Sequence, residues 1–160
     1  MAQFKNFSLK AFLNVLSQKV PVPGGGSAAA LAASLGASLI AMVIHYSLGK
    51  GQASWIEDKL KVTLRASQKL QKRFLELVDL DAQAYLQVVK SKKASKQVRK
   101  RAQAKARAVP REVAQLCYRA IELLPYLVKH GNKYLVSDLE VAAELLLASF
   151  NSALALLKAS

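Results

Sequence analysis

Cysteine is nearly missing from this chain: Cys117 stands alone among 160 residues, so no internal disulfide can form. An unpaired thiol fits a reducing compartment, and a cytoplasmic location is expected. Its surroundings, AQLCYRA, have apolar helical spacing, which predicts a small core residue and not a nucleophile. Histidine is almost as scarce. The two that exist do not fall at ligand spacing with Cys117, so no zinc site and no other metal or cofactor is expected. The N-terminal segment has neither a compact apolar stretch nor a small-residue cleavage site, and export is not expected. Acids are few: 10 against 24 lysines and arginines, for a net charge of +14. Such an excess attracts anions, whether nucleic acid, lipid surfaces or small polycarboxylates.

Much of that charge lies in KSKKASKQVRKRAQAKAR, from Lys90 to Arg107. No aromatic residue interrupts the run. Single-strand stacking platforms need aromatics and sequence readers need a recognisable motif, so nucleic acid is not the expected partner. The basic residues fall around all sides of any helix, which predicts a solvated connector. Formal charge is absent between Lys19 and Lys50, where PVPGGG precedes a long Ala-rich stretch. The stretch reaches the roughly 20 residues of a membrane span. However, Ser27, Ser34, Ser38, His45 and Ser47 interrupt it, and Ala and Gly insert poorly into lipid. No membrane span is expected; small residues suit close helix packing instead. His45 is expected in the core or at an interface.

Apolar residues recur at helical steps nearly throughout, and no alternating segment reads as a strand. The expectation is an all-α, up-and-down bundle of about five long helices. It forms one domain over 1–160. A first helix is expected from Ser8 to Val20, with Ser8 as its N-cap, and a second from Gly26 to Leu48, stopped by Gly49 and Gly51. Ser54 and Glu57 have capping-box spacing for a third. Pro110 suits a helix start, and Pro125 a kink or an early stop. Gly131 or Asn132 is expected in the left-handed region after Lys129 and His130. Ser137 and Glu140 form a further capping box, opening a last helix so apolar that it must be interior or at a dimer interface.

In the third helix, Ile56, Leu60, Leu64, Leu70, Phe74, Leu77, Ala84 and Val88 form an apolar stripe, and Ser67 and Asp81 share it. A carboxylate on a packed face needs hydrogen bonds, a counter-ion or a raised pKa. Asp81 is therefore either a structural cap or ion-pair partner, or a general acid/base tuned towards neutrality. Asp79, two residues earlier, faces elsewhere and is expected in solvent.

Three ordered blocks, PVPGGGSAAALAASLGASL, LVDLDAQAY and VSDLEVAAELL, resemble the cyclodeaminase/cyclohydrolase family of folate enzymes, and AVPREVAQLC fits the family between the last two. The resemblance covers nearly the whole chain. It implies a helical homodimer that either releases ammonia from formiminotetrahydrofolate to give the methenyl form, or hydrolyses methenyltetrahydrofolate to the formyl form. It also implies a site in which Gly24, Gly25, Gly26 and Ser27 approach the ligand. Asp81 would carry protons, with Asp79 as the alternative because both acids belong to the motif. Asp138 would be a further carboxylate beside Ser137. Lys50, where the family has a basic residue, would join the basic run in holding the glutamate tail of folate, polyglutamylated or not. In place of the family's Asn pair this chain has Leu156 and Ser160, and the basic run replaces its Leu-Pro loop. Those departures leave open an inactive relative that serves as a folate-binding or interaction module.

Overall fold

A computed structural model describes residues 3–159. Among them there is no strand. A short 3-10 turn at Phe4–Asn6 leads into α1 (Leu9–Leu16), followed by α2 (Gly25–Ser47), α3 (Ser54–Ser91), α4 (Lys96–Ile121) and α5 (Leu124–His130). A second 3-10 turn, Lys133–Leu135, runs into α6 (Val136–Ala159). Ser8 caps α1 as expected, its Oγ accepting from the Ala11 N–H at 3.1 Å, although the helix stops at Leu16, short of Val20. Ser160, one of the two positions that depart from the family's Asn pair, lies outside the described residues.

Helix α2 is the axis of the bundle. Ala30, Ala33, Ala37, Ile40, Val43 and Ile44 are fully buried in it, and small side chains let its neighbours approach. At Gly36 a methyl group would sit 3.1 Å from the Ala142 carbonyl oxygen and 2.9 Å from Leu146 Cγ, so α6 lies against bare backbone. Ser34 Oγ donates to the Gln71 carbonyl at 3.2 Å, and Gln71 donates to Ser38 Oγ at 2.9 Å. Further along, Ser27 meets Val78, so α2 and α3 run antiparallel. Ser47 Oγ accepts from the Asn132 N–H at 2.8 Å, which places the start of α6 at the end of α2 and makes that pair antiparallel too. Gly49 and Gly51, with φ of 70° and 76°, make the stop that the sequence predicts.

Several local expectations are revised. The basic run is not a connector: Ser95 accepts from the Val98 N–H and starts α4, which continues unbroken through Pro110. Pro110 is therefore buried inside a helix and does not begin one. Arg73 of α3 holds that helix by a two-pronged bond to Glu112, 2.7 and 3.0 Å, and also reaches Glu76 at 2.8 Å. The N-cap of α3 is Ala53, without a side-chain bond, because Glu57 accepts from the Gly49 N–H at 3.0 Å instead. Gly131 (φ −81°) and Asn132 (φ −66°) stay out of the left-handed region. Asn132 Oδ1 accepts from the Tyr134 N–H, so the turn before α6 is tied by Asn132, and Ser137 lies exposed within the helix.

Cys117 is fully buried, and burial pushes its thiol up to about 12, in keeping with a core residue. Pro125 sits in the first turn of α5, after α4 has ended at Ile121. His45 is exposed, so it is not a core residue of this chain. α6 buries only Leu139, Ala142, Leu146, Ser149 and Ala153 and shows Val141 and Leu147 to solvent, so it is not interior to the fold. Both α2 and the helical stretch Lys133–Ala159 are long and apolar enough to cross a membrane. The apolar window of α2 is 56% buried against other helices, that of Lys133–Ala159 28%.

Candidate active site

The N-terminus of α2 brings together one half of the expected site. Gly24 is the N-cap residue and has no side chain to satisfy the free N–H groups of the first turn. Asp81 reaches across from α3 to do so. Its Oδ2 lies 3.1 Å from Ser27 Oγ, and its carboxyl group accepts from the Ser27 backbone N–H as well. A helix N-terminus favours negative charge, so this carboxylate suits the place. Gly26 is required by it: a Cβ there would overlap the Asp81 carboxylate.

Ser27 is fully buried, and its hydroxyl also lies 2.9 Å from the Val78 carbonyl, which only accepts. One hydroxyl has one proton to give. When Ser27 donates to Val78, its oxygen is free to accept from Asp81, and that arrangement needs the protonated acid. When Asp81 is ionised, Ser27 turns to it and Val78 loses its bond. The site thus holds two hydrogen-bond patterns separated by one proton. Burial raises the Asp81 pKa above the ordinary carboxylate value, and the two bonds from Ser27 pull it partly back. No ion pair reaches Asp81 among the described residues. Of the two roles open to it, it fills the first as the cap of another helix, and burial raises its proton affinity at the same time.

Asp79 is buried, contrary to expectation, with 5% of its surface exposed. The Phe4–Asn6 turn covers it. Its Oδ1 accepts from the Lys5 N–H at 3.3 Å, and Oδ2 has no partner. Two residues before Asp81 on α3, Asp79 lies about 200° away around the helix and so on a different face.

The remaining expected residues are elsewhere in this chain. Helix α2 has 23 residues and so spans about 35 Å, and Lys50 lies past its far end. There Lys50 lines a cleft of about 380 Å³ with Ser47, Gln52, His130, Asn132 and Tyr134. Asp138, half-buried, and Ser137 begin α6 near that end, about 20 Å along the bundle from Ser27. His130 stands against Tyr126 and Trp55 there, ring centres 4.7 and 5.5 Å apart, a cluster that sequence spacing does not reveal. No group of three or more His, Cys, Asp or Glu side chains converges as a metal site among the described residues.

The formiminotransferase-cyclodeaminase family model matches residues 8–159, which is nearly the whole chain. The chain belongs to this family. Relatives of the family include a methenyltetrahydrofolate cyclohydrolase from Methylorubrum extorquens, 29% identical over 158 residues, an alignment covering 92% of this chain and 76% of that protein. Another is formimidoyltransferase-cyclodeaminase from Rattus norvegicus, 32% identical, where 87% of this chain corresponds to only 28% of the longer protein. The crystal structure of a formiminotetrahydrofolate cyclodeaminase from Thermotoga maritima superposes with a TM-score of 0.92 at 26% identity, covering 96% of this chain and 78% of that one. The family named by these matches is the one that the three sequence blocks resemble, and its members are named as folate one-carbon enzymes.

Proposed function

We propose that this chain is an enzyme of folate one-carbon metabolism, acting on formiminotetrahydrofolate as a cyclodeaminase or on methenyltetrahydrofolate as a cyclohydrolase, with Asp81 as its proton carrier. The observation that carries this reading is a carboxyl group held over a bare glycine turn, partly withdrawn from water, with its proton affinity raised. In cyclodeamination the free ring-side nitrogen attacks the formimino carbon and gives its proton to Asp81. The carbon–nitrogen bond to the leaving group then breaks, and Asp81 returns the proton so that ammonia departs neutral. In hydrolysis, water adds to the methenyl carbon and passes one proton to Asp81, which hands it to the ring nitrogen as the carbon–nitrogen bond opens, while the remaining hydroxyl proton leaves to solvent as the formyl carbonyl forms. One residue serves both directions because it gives and takes the same proton. The Ser27 hydroxyl follows each change by turning between Val78 and Asp81.

Neither route calls on a metal or a nucleotide cofactor. The lone thiol supports a cytoplasmic setting. A homodimer is part of the proposal: Leu35 and Tyr46 project half-exposed from α2, and two copies of a +14 chain repel least where formal charge is absent, as it is between Lys19 and Lys50. The same positive charge suits a polyglutamylated substrate. The test is the absorbance of methenyltetrahydrofolate with purified protein. Decay faster than in buffer supports the enzyme reading, and decay at the buffer rate leaves the binding-only relative. With turnover in hand, Asp81→Asn should lose about 10²–10⁴-fold while keeping its circular dichroism. Full turnover in that variant would reject the assignment.

A further inference from the structure

The family resemblance assigns the substrate's carboxylate tail to Lys50 together with the basic run Lys90–Arg107, but α2 separates Lys50 from Asp81 by about 35 Å within the chain. Another cation has to be nearer. Because α2 and α3 run antiparallel and Ser27, in the first turn of α2, is level with Asp81, α3 continues past the start of α2. The face of α3 that α2 covers up to Asp81 is uncovered by α2 beyond it.

At 100° per residue, positions four and eleven after Asp81 return to within about 40° of its direction. They are Tyr85 and Lys92. Tyr85 leaves 49% of its surface in water, and Lys92 is exposed. Val88, half-buried, lies between them on the same face. Lys92 is the cap residue of α3 and still helical (φ −52°, ψ −37°), so the face is unbroken to its end. It makes no ion pair among the described residues, and no acid occurs between Asp81 and Glu112 to compete for it.

We propose that Tyr85 and Lys92 form a rail for the substrate on α3, the Tyr85 ring carrying a flat ring system and the Lys92 ammonium a carboxylate. The inference rests on the reading of Asp81 as the reacting acid. The axial steps from Asp81 are about 6 Å to Tyr85 and about 16 Å to Lys92. The class of ligand that fits is therefore an elongated one: a planar heteroaromatic system beside the acid, an apolar middle over Val88 and an anionic end. Tyr offers a rigid face at little entropic cost, and an exposed lysine gives a salt-sensitive attraction.

Two measurements test the rail, kinetics with methenyltetrahydrofolate monoglutamate and calorimetric binding of 5-formyltetrahydrofolate. Tyr85→Ala should raise KM and weaken binding about five- to tenfold with kcat nearly kept, and Tyr85→Phe should restore both. Lys92→Ala should raise KM about two- to fivefold at low salt, a difference that shrinks as salt is added, and Lys92→Arg should behave as the parent. Unchanged KM and affinity in both alanine variants would overturn the rail. So would a loss in Lys50→Ala larger than that in Lys92→Ala, because the tail would then belong at the other end of α2. If the parent protein shows no turnover, the catalytic reading of Asp81 fails by itself. The calorimetric losses still decide whether Tyr85 and Lys92 hold the ligand.

Discussion

The two ends of α2 solve the same problem in opposite ways. At its start, Gly24 to Gly26 provide no capping side chain, and a carboxyl group from another helix supplies the missing acceptor while remaining partly buried. At its finish, Ser47 accepts from the Asn132 N–H, Gln52 donates to the Ser47 carbonyl at 3.0 Å, and Glu57 accepts from the Gly49 N–H, with Ser47, Gln52 and Asn132 lining a cleft. At the start of α2 the cap is one partly buried carboxyl group whose pKa burial raises, whereas at its finish the bonds are shared among Ser47, Gln52, Asn132 and the Glu57 carboxylate of α3. The start therefore depends on the proton of a single acid, and the finish divides the task among several side chains.

Three experiments press on that contrast. The largest effect is expected from Gly26→Ala, whose methyl cannot share space with the Asp81 carboxylate. It should cost about 1–3 kcal/mol of stability, read by urea denaturation, and reduce turnover at least tenfold. A variant with normal turnover would mean that the carboxylate can move aside without consequence. At the other end, Asn132→Ala removes the cap on the Tyr134 N–H and the side-chain bond to the Tyr46 carbonyl, while its backbone N–H still reaches Ser47. About 1 kcal/mol of stability should be lost, with KM and kcat both kept, and altered kinetics would show that the finish of α2 also participates in function. The smallest effect concerns pH. Because the folded protein raises the Asp81 pKa, the protonated acid is the stabilised form, and its contribution is fully present below the unfolded carboxylate value of about 4. It is lost as pH rises through the folded value. Subtracting the urea midpoints of Asp81→Asn from those of the parent across that window should give a falling curve. A flat or rising one would contradict the burial that sets the Asp81 pKa.

The helices were legible in the sequence because each buries an apolar face against neighbours, and the periodicity of that face survives without knowing what covers it. The stripe on α3 even located Asp81. What it could not show was cover from a distance. Asp79 reads as solvated because it lies on a different face of α3 from the apolar stripe; Phe4–Asn6, some seventy-five residues away, covers it. The Lys90–Arg107 run reads as a connector because its charges share no side, yet alanines between them and the Arg73–Glu112 clasp are enough to make a helix. Capping boxes failed at Ser54 and Ser137 for a related reason: the spacing was right, but Gly49 took Glu57 and the Asn132 turn preceded α6. Glycine turn and lysine lie close in any list of motif residues, and only the length of a straight α2 reveals that they are a whole bundle apart.

Gly36 has a further consequence. Where α2 lacks a side chain, the Ala142 carbonyl and the Leu146 side chain of α6 close directly on its backbone and leave little room to yield. The two helices should thus move as one rigid spine, while the α3 segment beyond Asp81 has no such anchor on α2. Breathing motions that admit or release a guest would then belong to the end of α3, with the spine as the fixed jaw of the vice.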